Sequence, residues 1–285
     1  MLLCSQEGTV GFGDTYFSHV ARHVPKHPCT CGEWYDKCEP RAGIADAIRA
    51  AGTTDFEWSD LASVPIPKLF RSPLRRFWPL ARSTRLPIVC ALPHSARRGL
   101  FARFYRENEL MINGLGLSGK YDTYFDGCKD LVRLELMRTI IPNIKILHSV
   151  RHPGAYLYHF HKRGENQYSK RLSHWARYHR HARRFAERVP ADNYLAVTYE
   201  HIVRRPAEFA SSFAKFVGKP PADTTDADRL RTSEIHIMGN RMRERADRVL
   251  DYSSTWRGKM PHAVEKMADD AIRDDEWYAS LYNLD

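Results

Sequence analysis

Arginine suits a site that must grip an anion, because its planar guanidinium makes paired hydrogen bonds to a phosphate-like group and keeps its charge at any working pH. Arg151 has such a setting. The run NIKILHSV, residues 143–150, is short and β-prone, Arg151 follows at once, and Pro153 falls where the first turn of a helix would begin. In an open parallel sheet, ligands lie at the carboxyl ends of strands. Arg151 is therefore a candidate phosphate contact, although a surface arginine in a strand-to-helix loop fits the same pattern. A second candidate is HIMGNRMR, residues 236–243. Its Gly239, Asn240, Arg241 and Arg243 put an Asn-Arg pair in a glycine turn, which suits an anion or a plain solvated turn. Cys29, Cys31 and Cys38, with His23 or His27 nearby, raise the question of zinc. The C-x-C…C spacing lacks the paired C-x-x-C of common structural sites, so no metal is expected.

The elements that must position these residues read as strand and helix in alternation. Residues 121–125 (YDTYF) alternate and are β-prone, and Asp126-Gly127 turns the chain. DLVRLELMRTIIP has its apolar residues at helical spacing and is ended by Pro142. After the 143–150 strand come a helix over 154–162 and a long basic helix from about Ser169 to Arg188. In the latter, Trp175, Tyr178, Ala182 and Phe185 are spaced for one buried face. NYLAVTYEHI, residues 193–202, reads as a strand with Tyr199 and Glu200 at its end, followed by a helix stopped at Gly218. Such an order argues for an α/β fold, a parallel sheet flanked by helices. Residues 41–52 and 99–118 look helical. The stretch 59–98 has prolines at 65, 67, 73, 79, 87 and 93 and reads as loops or short helices.

Bulk properties narrow the class. The 285 residues carry a formal net charge of +10, which suits an anionic partner without choosing among nucleic acid, membrane surface and phosphorylated or sulfated small molecules. No stretch approaches the roughly 18 apolar residues of a membrane span. The apolar start is too short for a signal peptide, so a cytoplasmic protein without a transmembrane segment is expected. Six cysteines in a chain of this size do not make a disulfide scaffold. The basic helix RLSHWARYHRHARRFAERV interleaves aromatics and could sit on nucleic acid. Against that, no helix-turn-helix, finger or RNP pattern accompanies it, and no nucleic-acid partner is expected.

Taken in order, five segments resemble the sulfotransferase superfamily in its bacterial-type branch. A strand running into VRHP at 150–153 resembles the family's "VRDP", and Tyr199-Glu200 with the following Pro206 and helix resembles its "Y-E-D-L…P". FDGCKD, residues 125–130, resembles "D-S-S-K"; HIMGNRMR resembles "H-x-x-G-N-P-M-R"; and CTCGEWYDKC, residues 29–38, resembles "C-x-C-G…C". Together they span roughly residues 10–260.

The resemblance implies a P-loop-like nucleotide-binding fold, one domain over 1–285 with a loop-rich, acceptor-side insertion at about 40–120. It implies transfer of a sulfuryl group from 3′-phosphoadenosine-5′-phosphosulfate (PAPS) to a hydroxyl or amine of a small-molecule or carbohydrate acceptor, with PAP as product and no metal. Arg151 matches the family contact to the 3′-phosphate, its serine partner falls at His159, and Tyr199 belongs to the same cofactor side. Gly239, Asn240, Arg241 and Arg243 match the loop over the nucleotide. Lys129 matches the "D-S-S-K" lysine, a contact to substrate or leaving group, and a helix-start lysine facing water fits equally. Asp14, after Gly13, matches an acidic residue that several branches carry there and is the candidate base, with His19 and His236 next; a turn aspartate fits as well. The cysteine loop is implied to be family-typical, disulfide-linked in an oxidising compartment.

One departure stands at the front. The family's glycine-rich phosphosulfate loop and the strand before it precede the point at which MLLCSQEG begins. A truncated or misassigned sequence is expected in preference to a degenerate, non-catalytic binding protein. No G-x-x-x-x-G-K-[ST] of a P-loop kinase is present. Oligomeric state is not readable.

Overall fold

The computed structural model describes residues 6–13, 29, 31–34, 37–56, 82–127, 129–223 and 256–283. The described chain up to Ile144 packs as one compact unit, and that from Lys145 onward as a second. Asp14, Gly239, Asn240, Arg241 and Arg243 lie outside the described residues, as do His19, His23, His27 and His236.

In the first unit, strand β1 (Thr9–Gly13) pairs in parallel with β2 (Thr123–Asp126), Val10 against Tyr124 and Gly11 against Phe125, with a register shift before Gly13. The sequence pattern left the opening residues unassigned; Val10 and Phe12 nevertheless make a strand because both enter the core. There they meet Ile44 and Ile48 of helix α1 (Glu39–Ala50), and Met111 and Leu115 of α4 (Ala102–Ser118). Helices α2 (Arg82–Ala91) and α3 (His94–Leu100) lie between them in sequence, and α2 packs on α5 (Leu131–Ile140). Pro87 sits inside α2, so one of the prolines that read as a breaker is carried within a helix.

Helix α5 begins where Asp130 accepts a hydrogen bond from the Val132 amide at 2.9 Å, satisfying one of the orphan donors of the first turn. Asp130→Ala should lower stability by about 1 kcal/mol, read as a shift in the denaturant midpoint at unchanged m-value. An unchanged midpoint would remove the cap from the account of this helix.

In the second unit, β3 (Ile146–Val150) pairs in parallel with β4 (Tyr194–Thr198) in continuous register, Ile146 against Tyr194 through Val150 against Thr198. Between them run α6 (Pro153–His161), α7 (Tyr168–Ala186) and a short 3-10 turn (Ala191–Asn193). Beyond β4 come α8 (Tyr199–Arg204) and α9 (Pro206–Val217), then α10 (His262–Arg273) and α11 (Glu276–Asn283). The α/β character, parallel strand pairs flanked by helices, is as the sequence order implies.

Two local expectations are corrected. The strand expected over 193–202 stops at Thr198, whose hydroxyl accepts from the His201 amide at 2.9 Å and caps α8; Tyr199 and Glu200 open a helix instead of closing a strand. On α7 the buried face is Trp175, His179, Ala182 and Phe185. His179 takes the place expected of Tyr178, its ring against Trp175 and its Nδ1 2.8 Å from Nε2 of His148.

Candidate functional site

Within the second unit, the carboxyl end of β3 is built from both sides. Val150 is fully buried against Trp175 of α7 and Tyr278 of α11. The Trp175 indole N–H donates to the Arg151 carbonyl at 3.2 Å, which fixes the peptide just past the strand. The next amide, His152 N–H, donates to the Glu200 carboxylate at 3.1 Å, and that carboxylate also accepts from the Tyr282 hydroxyl at 3.3 Å. Burial raises the Glu200 carboxyl above its ordinary range, opposed by these hydrogen bonds and by the nearby Arg151 charge. Glu200 therefore ties the turn after β3 to the helix after β4.

This clamp leaves the Arg151 side chain exposed while its backbone is held. Its guanidinium lies over the Tyr199 ring, 5.0 Å from the centroid, a geometry that limits the fork's freedom. His159, two turns along α6, is exposed, and its pKa is pushed below the ordinary histidine value. Partial burial contributes most, followed by the charges of Arg163, Lys162 and Arg151. At neutral pH it offers a neutral ring, a hydrogen-bond donor beside a cationic cluster. Arg151 and Tyr199 are thus in contact, and His159 lies within electrostatic reach of Arg151.

The sequence did not mark the supports. His152 caps α6, its Nδ1 accepting from the Gly154 amide at 3.1 Å, and its ring stacks on Trp256 at 4.9 Å with Nε2 3.5 Å from Asp269. A polar side chain directly before Pro153 was the available signal for that cap; nothing in the sequence pointed from there to Trp256. Trp256 lies against the first turn of α6 so closely that a Cβ on Gly154 would come within 2.5 Å of its ring. Trp256 is 2% exposed and also carries the Arg257 guanidinium at 3.9 Å from its centroid, so the ring has little room to shift. Gly154→Ala should gain a little helix propensity and lose more to overpacking, a net cost of about 1–3 kcal/mol. A thermal melt at or above the parent's would show that the ring can move aside.

Lys129 belongs to the first unit, exposed in the turn between β2 and α5. That turn is held by Arg133, whose Nε donates to Asp126 at 2.9 Å and whose Nη2 donates to Asn108 at 2.9 Å. Also in this unit, a groove of about 330 Å³ lined by Arg98, Tyr105, Arg106, Glu109 and Asn113 lies along α3 and α4. The three cysteines are close together: Cys29 and Cys38 have Sγ atoms 3.7 Å apart and Cys31 and Cys38 3.8 Å, with Arg41 donating to Cys29 at 3.6 Å.

Residues 91–223 match the family model described as the sulfotransferase family. That stretch includes Lys129, Arg151, His159 and Tyr199. Among solved structures, the chain is similar to a sulfotransferase domain from the Synechococcus PCC 7002 olefin synthase, at 18% identity and a TM-score of 0.43, with 93% of this chain and 94% of that one covered. It is also similar to a sulfotransferase domain from the curacin biosynthetic pathway, at 14% identity and a TM-score of 0.43, covering 93% and 96%. A search among curated proteins found no match. Among the described residues, no helix is long and apolar enough to cross a membrane.

Proposed function

We propose that this chain takes a sulfuryl group from PAPS and passes it to a hydroxyl or amine of a small-molecule or carbohydrate acceptor. The observation that carries this reading is Arg151, held by its backbone at the carboxyl end of β3 within the sulfotransferase-family segment. The acceptor oxygen or nitrogen attacks sulfur, the bond from sulfur to the phosphate oxygen breaks, PAP departs, and the acceptor's proton goes to a base. Such an in-line displacement is accelerated by positioning and by charge placed where the leaving phosphate develops its own.

In this scheme Arg151 supplies the fixed charge at the 3′-phosphate, His159 adds a neutral donor and Tyr199 backs the guanidinium. Gly239, Asn240, Arg241 and Arg243 close over the nucleotide, Lys129 meets the leaving group, and Asp14 takes the proton. We assign residues 1–285 to one P-loop-like sulfotransferase domain, with the acceptor side at about 40–120, where the α3–α4 groove lies. The test is incubation of the full chain with PAPS and a panel of phenolic, sugar and amine acceptors, following PAP release. Acceptor-dependent PAP formation, lost in Arg151→Ala, supports the reading. PAP binding without turnover on any acceptor would assign a binding module, and a folded chain that does neither would overturn the reading.

A further inference from the structure

Three sulfurs converge in the first unit where a disulfide would need only two. The thiol Sγ atoms of Cys29, Cys31 and Cys38 all lie within 4.8 Å of one another, and two of the three separations are 3.7 and 3.8 Å. A disulfide requires about 2.05 Å. Around a tetrahedral zinc ion with metal–sulfur bonds of about 2.3 Å, neighbouring sulfurs stand about 3.8 Å apart. Two of the three separations are those of an edge of the coordination tetrahedron, and the third lies within 4.8 Å.

We propose that Cys29, Cys31 and Cys38 form a three-thiolate site for a divalent soft or borderline ion, zinc by preference, with no fourth ligand in the cluster among the described residues. The spacing along the chain, which reads against zinc in the sequence, is compensated by a tight turn. The Gly32 amide donates to the Cys29 carbonyl at 3.0 Å, with Gly32 at a φ of +96°, and the Cys29 amide donates to Glu33 at 2.8 Å. This fold-back brings Cys31 beside Cys29 without the two intervening residues of a C-x-x-C. The Glu33 amide also hydrogen-bonds the Cys31 sulfur, the kind of contact that steadies a thiolate.

Charge supports the same occupant. Cys29 and Cys38 are buried, and so is Arg41, whose guanidinium donates to the Cys29 sulfur. Three thiolates and a divalent ion sum to one negative charge, and Arg41 brings that buried group to neutrality. On binding, each thiol releases its proton to solvent and no electrons are exchanged. Cys38 directly precedes α1, so a bound ion would anchor the turn to the helix that supplies Ile44 and Ile48 to the core. The inference stands independently of the proposed transferase activity.

The test uses the full reduced chain, loaded with zinc, desalted and assayed by mass spectrometry for metal, then exchanged into cobalt for visible spectroscopy. The expected result is a single zinc ion per chain and a cobalt spectrum with sulfur charge-transfer bands and tetrahedral intensity. Cys31→Ser replaces an exposed ligand and so should leave the fold intact while weakening zinc by about a hundredfold or more. Cys90→Ser should leave it unchanged, and Cys38→Ser should act like Cys31→Ser if it folds. A folded, reduced protein that holds no zinc after loading overturns the proposal. Zinc held equally by Cys31→Ser, or an as-purified mass short of two hydrogens across these cysteines, overturns it too.

Discussion

Arg151→Ala should weaken the binding of PAP by about ten- to a hundredfold, the worth of a charge-assisted hydrogen-bonding group at about 1.5–3 kcal/mol. The fold should not notice. The Arg151 side chain is exposed, and the clamp around it uses only backbone: its carbonyl accepts from Trp175, and the next amide donates to Glu200. Surface substitutions of this kind usually stay within about 0.5 kcal/mol of the parent. Arg151→Lys keeps the charge and loses the planar fork over Tyr199, so it should fall between parent and alanine. Calorimetric titration reads all three, with thermal melts alongside. Equal affinity in parent and Arg151→Ala would move the phosphate contact elsewhere; a large loss of melting temperature would mean that the side chain is structural.

Acid should destabilise the second unit well before its carboxylates are stripped of charge. Burial holds His152 down to about 4, despite attraction from Asp269, and holds His148 to about 4 and His179 to about 3. His148 and His179 face each other at 2.8 Å between ring nitrogens, and the other His148 nitrogen meets the Tyr194 hydroxyl at 2.5 Å. Either tautomer arrangement satisfies this chain with both rings neutral, and protonation of one places charge beside the Arg183 guanidinium that already disfavours it. A histidine whose folded pKa is depressed stays neutral in the native state while the unfolded chain takes up a proton below about 6.5. The unfolded state then binds more protons, so stability is fully present above pH 6.5 and is lost as pH falls toward 4. Each group can contribute up to about 3 kcal/mol across that window, with the His148–His179 pair titrating together. Glu200 works in the opposite direction, since burial raises its carboxyl, and it blunts the slope at the acid end. Denaturant unfolding at a series of pH values between 7.5 and 4.5 should therefore show falling stability. His152→Asn keeps a capping acceptor, cannot ionise, and should flatten part of the slope. A profile flat from 7.5 to 5 would contradict the buried neutral histidines.

Much of the fold was legible because its periods are local. The apolar spacing over 131–141 gave α5, the run 143–150 gave β3, and Gly218 marked the end of α9, where it adopts a left-handed φ of +73°. Strand β1 was not legible, since five residues with two glycines declare themselves only through Val10 and Phe12 meeting α1 and α4. The end of β4 was misread because a β-prone Tyr199 outweighed Thr198 as a cap. At the candidate site, Arg151 was visible from its place after an apolar run and before a proline. Its supports were not, because Trp175, Glu200, Trp256 and Tyr282 reach it from 24 to over a hundred residues away in sequence, and no periodicity records such meetings. The three cysteines were visible as residues but their closeness was not, because the turn at Gly32 that folds Cys31 back is a backbone event.

The measurement closest to the central claim is calorimetric titration of the full chain with PAP, with AMP and ATP as controls. Binding selective for the nucleotide bearing a 3′-phosphate is expected, since the fixed charge of Arg151 has a partner only there. A folded chain that ignores PAP, or binds AMP equally well, would contradict it.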